Sequence, residues 1–207
     1  MANEVKVNWM QVSGFVLNSN GTGLSNATYT NLYDDSTKRS VLNFGNVQAG
    51  KITTPKCVVA RFSGASQVSD LQFWLDSTTA NATGSTNVDL SKWEFYYCIV
   101  PQDKLNFNIE TTTFTDAQKK GETADKTTAY LDAAQKFHMT KIEREVDDVA
   151  INQFPQPATG NQNASLVLNI TGDYADSYLI MLDVQTPTDA NSGNTEGWYY
   201  RMNFLYS

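Results

Sequence analysis

Apolar positions along most of this chain recur at spacing two. Val5, Val7 and Trp9 alternate with polar residues and lead to Phe15-Val16-Leu17. From Lys56 to Phe62, Val58, Ala60 and Phe62 share one face, and Cys57, Val59 and Arg61 share the other. The same alternation runs through Leu71, Phe73 and Leu75, then Trp93, Phe95, Tyr97 and Ile99, then Leu166, Leu168 and Ile170, then Tyr178, Ile180, Leu182 and Val184. It is cleanest at Trp198, Tyr200, Met202, Phe204 and Tyr206, which stand against Tyr199, Arg201, Asn203 and Leu205. Successive side chains of a strand point to opposite faces, so this period fits half-buried strands and would scatter around a helix. Turn-forming stretches such as 18–23 and 186–197 separate the segments. Short strands joined by polar turns, with little helix between them, predict an all-β fold. The architecture expected is an antiparallel β-sandwich, immunoglobulin-like or jelly-roll-like, forming a single domain over 1–207.

Residues 111–160 break the rhythm. The stretch 111–150 holds 14 of the 37 charged residues, and its apolar positions move to helical spacing. Tyr130, Ala133, Ala134 and Phe137 form one stripe; Met139, Ile142, Val146 and Val149 form another. Thr140-Lys141-Ile142-Glu143 has the form of a capping box, and Phe154-Pro155-Gln156-Pro157 would end the element. The pattern predicts a charged, partly helical insertion at about 111–160. Its apolar stripes are too narrow to support an isolated helix and call for a docking surface, in cis or on a neighbouring copy. Tyr130, Phe137, Ile142 and Val146 are the expected assembly contacts.

Composition adds a bias against chemistry. Thr, Asn and Ser number 23, 19 and 15, over a quarter of the 207 residues, and they favour strands and turns. The formal charge is −7, with basic pairs only at Lys38-Arg39 and Lys119-Lys120. A nucleic-acid backbone needs a clustered cationic face, so neither nucleic acid nor an anionic membrane is an expected partner. No run approaches the roughly 18–20 apolar residues of a membrane-spanning helix. The segment Met1-Ala2-Asn3-Glu4-Val5-Lys6 lacks the pattern of a secretory signal, which predicts a polypeptide made and kept in cytosol or released only inside a larger object. Cys57 and Cys98 fall on separate predicted strands, and a reducing compartment predicts free, buried thiols instead of a bridge between sheets.

Candidate chemistry is sparse. The one histidine, His138, has no nucleophile near it in sequence, and no phosphate-cradling glycine motif occurs. No enzyme activity, no catalytic residue and no cofactor is predicted. The best metal candidate is a calcium-loop-like run at 189–196, with oxygens on Asp189, Asn191 and Glu196; its glycine comes one position early and its glutamate too soon for an EF-hand. Asp173 and Asp176 form a weaker pair. Trp74, Trp93, Trp198 and Tyr199 suggest sugar stacking, although alternating strand positions favour core.

Leu42-Asn43-Phe44-Gly45-Asn46-Val47-Gln48-Ala49-Gly50 resembles the Phe-Gly-x-Val-x-x-Gly opening of many immunoglobulin-like domains. The strand Cys57 to Phe62, the turn Ser63-Gly64-Ala65 and the segment Val68 to Leu75 follow in the expected order. Over 42–75 the chain is similar to structural proteins of tailed-bacteriophage particles. The resemblance implies packing roles for Phe44, Gly45, Val47 and Gly50 in the turn before the next strand. It also implies a non-enzymatic virion subunit of capsid, neck, tail or baseplate, made in the host cytoplasm. Such a subunit has copies of itself and other virion proteins as partners. The alternative from another class is a carbohydrate- or receptor-binding module that stacks its aromatics on a host-surface glycan.

Overall fold

The computed structural model describes residues 4–17, 19, 23–36, 39–77, 93–100, 105, 113–116, 119, 140–141, 152–153, 167–189 and 198–207. These residues form antiparallel β-sheets with almost no helix, so the fold is all-β. The largest sheet runs in the order β10 (Thr140–Lys141), β9 (Glu94–Val100), β14 (Leu179–Gln185), β7 (Lys56–Ser63), β1 (Lys6–Ser13), β4 (Thr28–Asn31), with β13 (Ala175–Asp176) also on β7. A second sheet is built on β8 (Gln67–Ser77). On one side β8 pairs with β15 (Trp198–Tyr206). On the other it pairs with β11 (Asn152–Gln153) and β12 (Leu168–Asn169). Two small ribbons complete the set, β2 (Val16–Leu17) with β3 (Leu24–Ser25) and β5 (Tyr33–Asp34) with β6 (Arg39–Ser40).

The two central strands of the large sheet are apolar on both faces. In β7, Val59 and Cys57 join Met10, Val12, Phe15, Leu179 and Met181 in one cluster, which Leu105 and Phe114 cover. Val58, Ala60 and Phe62 join Ile180, Leu182 and Val184 in a second cluster. This second cluster also takes in Val68, Leu71, Leu168, Met202 and Phe204 of the other sheet. The unbroken runs Cys57-Val58-Val59-Ala60 and Leu179-Ile180-Met181-Leu182 therefore have a cause: strands covered on both sides lose the polar alternation. Each large side chain removed from water there is worth about 1.5–3 kcal/mol.

Bulges adjust both sheets. Alongside β7, Ala175 faces Phe62 and Asp176 faces Arg61, whereas Ile180 faces Val58. Three residues, 177–179, thus oppose two, and β13 and β14 are one strand interrupted by a bulge. Ser177 fills the gap this leaves in the ladder. Its hydroxyl accepts the Ala60 N–H at 2.9 Å, and its own N–H donates to the Ala60 carbonyl at 2.9 Å. Replacing Ser177 by Ala is expected to cost about 1–3 kcal/mol in urea unfolding, because a buried amide loses its acceptor. A loss below ~0.5 kcal/mol would remove this role from the serine. In β8 the register slips by one residue opposite Asn203 and Leu205, and Asp70 takes a left-handed backbone with φ of 50°. The slip explains why Val68 and Leu71, at spacing three, are both fully buried.

The turn from β7 to β8 carries the chain from one sheet to the next. Gly64 has φ of +81°, and a Cβ there would collide with the backbone carbonyl of Glu4. The Phe-Gly-x-Val-x-x-Gly stretch is irregular, with Gly45 and Gly50 both left-handed. Asn43 Oδ1 accepts the Gly45 N–H at 2.7 Å, while the Gly50 N–H donates to the Pro187 carbonyl at 3.0 Å. Phe44 packs, half-buried, against the second cluster.

Thr140–Lys141 was expected to open a helix. It pairs instead with β9, placing Thr140 opposite Tyr97 and Lys141 opposite Tyr96. An exposed β9 edge offers each residue ladder hydrogen bonds, whereas a capping box only satisfies free amides at the start of a helix. Among the described residues of 111–160, helical geometry is confined to Asp116 and Lys119, and the Lys119 N–H donates to the Thr115 carbonyl at 3.0 Å.

Candidate functional site

Four polar side chains are buried among the described residues: Thr53, Ser177, Asp183 and Thr186. Three of them are hydrogen-bonded. Thr53 Oγ1 accepts the Val184 N–H at 2.9 Å, Ser177 bonds Ala60, and Thr186 donates to the Gln48 carbonyl at 2.7 Å. Asp183 is the exception. Its side chain is fully buried, and neither carboxylate oxygen has a hydrogen-bond partner. Two residues along the same strand, the Oε1 of Gln185 is also buried and unpartnered. Buried polar atoms are ordinarily satisfied, so three orphaned acceptors on one strand require explanation.

Register places the neighbours. Asp183 stands opposite Tyr96, and Gln185 stands opposite Glu94. Residues two apart share a face, so Asp183, Gln185, Tyr96 and Glu94 lie on the face that carries the first cluster. The Tyr96 hydroxyl donates to Glu94 Oε2 at 2.7 Å, fixing that carboxylate over the sheet. Burial pushes the Asp183 carboxyl up to about 8, and the nearby Lys119 ammonium offsets only part of this. Lys119 lies largely buried with its Nζ 3.9 Å from Asp116 Oδ1. Among the described residues no three His, Cys, Asp or Glu side chains gather as a metal set. The oxygen donors here are two carboxylates and an amide.

A second constellation lies farther along β7 and β13. Asp176 grips Arg61 with both oxygens, at 2.7 Å to Nε and 2.8 Å to Nη2. The guanidinium lies 3.9 Å from the centroid of the Tyr174 ring and 4.8 Å from that of Tyr29. A planar cation held in a fork and stacked on aromatics is a rigid clamp between strands, built from both charge and π contact. It corrects the reading of Asp173 and Asp176 as a calcium pair: both Asp176 oxygens are already bonded to Arg61.

Several sequence-based candidates fall elsewhere. Tyr130, Phe137, Ile142 and Val146 lie outside the described residues, as do Asn191 and Glu196; Asp189 is described and exposed. Trp93 packs, half-buried, against the second cluster, as the core reading of the tryptophans has it. The side chains of Trp74, Trp198 and Tyr199 lie outside the described residues. Cys57 is free and buried, and burial pushes its thiol up to about 12, where it is inert. Met181 separates it from Cys98 in the register, so the two backbones are roughly 10 Å apart, two strand spacings, and a bridge does not reach.

Sequence reasoning passed over Asp183. The signal was available: one acid interrupts the apolar run from Leu179 to Val184. Among the described residues no helix is long and apolar enough to cross a membrane. The chain matches no family model, no curated protein and no solved structure.

Proposed function

We propose that the chain is a non-enzymatic structural subunit of a phage virion, working through repeated contacts between copies and with other virion proteins. In this reading the two sheets are the layers of an immunoglobulin-like or jelly-roll-like sandwich and the charged stretch at 111–160 is a contact arm. The observation that carries it is β15. This strand pairs over eight register positions with β8, and no described strand pairs with its other edge. It also presents Leu205 and Tyr206 at 61% and 60% exposure. A long strand edge with apolar side chains in water is a template for strand addition. Closed rings and shells repeat one such contact many times. The resemblance over residues 42–75 gives the setting as a virion.

The purified protein is expected to sediment as a discrete oligomer and to show symmetric particles by electron microscopy. Changing Leu205 and Tyr206 together to Lys should shift it toward monomer while leaving the fold intact, since both side chains are exposed. A wild-type protein that stays monomeric at its highest soluble concentration would overturn the assignment.

A further inference from the structure

The orphaned acceptors on β14 have a common remedy. Asp183 contributes two oxygens and Gln185 one, all buried and all without a donor. The Glu94 carboxylate, opposite Gln185 and steadied by Tyr96, adds a second negative charge on the same face. A carboxylate in an apolar setting is tolerated when it is paired or when it coordinates a cation. Lys119 is the described positive group whose charge acts on Asp183, yet its ammonium makes no hydrogen bond to Asp183, and its closest described carboxylate is that of Asp116.

We propose that this row is a divalent-cation site of the calcium class, in which Asp183, Gln185 and Glu94 supply oxygen ligands from β14 and β9. Two carboxylates and an amide carbonyl are the hard-oxygen set that calcium takes, with water or backbone carbonyls completing the shell. Magnesium demands a near-ideal octahedron, which donors fixed at strand spacing do not provide. A bound ion would satisfy at once every orphaned acceptor among the described residues. It would also tie β9 to β14 on the face where the first cluster is buried. Lys119 takes part as a competitor: its charge opposes the ion, so it must stay on the Asp116 side when the ion is bound. Its ligands are different residues from those of the calcium-loop-like run at 189–196, and ion binding here does not depend on how the protein assembles.

The test uses the whole chain at about pH 8, where protons compete less for Asp183 than at lower pH. Terbium luminescence excited through tyrosine reports binding, because Tyr96 adjoins the ligands. Thermal unfolding in millimolar calcium is compared with unfolding in chelator. Calcium is expected to raise the midpoint by about 4–8 °C and magnesium by less. Asp183→Asn should weaken terbium binding about tenfold or more, and Glu94→Gln by less. Lys119→Gln should tighten binding several-fold by removing the opposing charge, and it touches no proposed ligand. No midpoint shift in the wild-type protein would overturn the proposal. So would unchanged affinity in Asp183→Asn, which would place the ion elsewhere, such as at 189–196. Unchanged or weaker binding in Lys119→Gln would also overturn it, and this arm remains readable if Asp183→Asn does not fold.

Discussion

In chelator, Asp183→Asn is expected to make the protein more stable, and the gain should grow as the pH rises from about 4 to about 8. The sign follows from proton binding. In the unfolded chain the carboxyl titrates near its ordinary value of 3.8; in the fold, burial pushes it up to about 8. Between these values the folded state holds a proton that the unfolded state has released. Stability therefore falls as pH rises through that window, and is flat below and above it. Four pH units correspond to on the order of 5 kcal/mol, an upper bound that water entry and local relaxation reduce. Glu94, Tyr96 and Lys119 face the same space. They are present in both proteins, so the difference between wild type and variant isolates Asp183. Asparagine keeps the shape of the side chain, does not ionise, and brings N–H groups that can face Gln185 Oε1. Urea unfolding of both proteins should show a difference that widens by about 2–4 kcal/mol between pH 5 and pH 8. A pH-independent difference would mean that the carboxyl is hydrated in the fold.

How far the sequence disclosed this structure depends on what each residue's neighbours do. Strands such as Lys56–Ser63, Leu179–Gln185 and Trp198–Tyr206 were legible, because a period of two belongs to the backbone itself. The burial of both faces of β7 and β14 was harder to read. Alternation directs attention to Val58, Ala60 and Phe62, while Cys57 and Val59 find cover only when Phe15, Leu105 and Phe114 arrive from distant positions. The bulges at 177–179 and at Asp70 leave no local mark, since each is a count of residues against a partner strand chosen by the fold. Thr140–Lys141 failed for the same reason, a strand edge having won over a local cap. The Arg61 clamp needed Tyr29 from one distant stretch of chain and Tyr174 with Asp176 from another to meet around one guanidinium. Asp183 differs: a lone acid in an apolar run announces itself, but whether it is paired, hydrated or metal-bound is decided by tertiary neighbours.

The second large effect is expected from Phe62→Ala. Phe62 is fully buried on the face of β7 that carries the second cluster, and its ring meets that of Phe204 edge-on at 5.1 Å and 75°. Phe204 belongs to β15, so this aromatic pair couples the large sheet to the strand whose outer edge we assign to assembly. Removing a buried phenyl group costs the transfer term plus the cavity it leaves, about 3–5 kcal/mol for Phe→Ala in a core that cannot collapse. Collapse is hindered here. Both neighbours of Phe62 across the sheet, Val7 on β1 and Ala175 on β13, are held by ladder hydrogen bonds. Phe204→Ala should cost less, because that ring is only half-buried. The double variant should cost less than the sum by about 0.5–1.5 kcal/mol, the part that belongs to the ring pair. Urea unfolding of the four proteins measures all three quantities. A loss under ~1 kcal/mol for Phe62→Ala would show that the two sheets do not share this core. A normal loss with strictly additive costs would leave the core intact and show that β15 is held by its ladder with β8 alone. The variant also separates folding from assembly. Leu205 and Tyr206 lie outside the cluster. Phe62→Ala should therefore lower stability, whereas charge at 205 and 206 should change oligomer size with stability nearly unchanged.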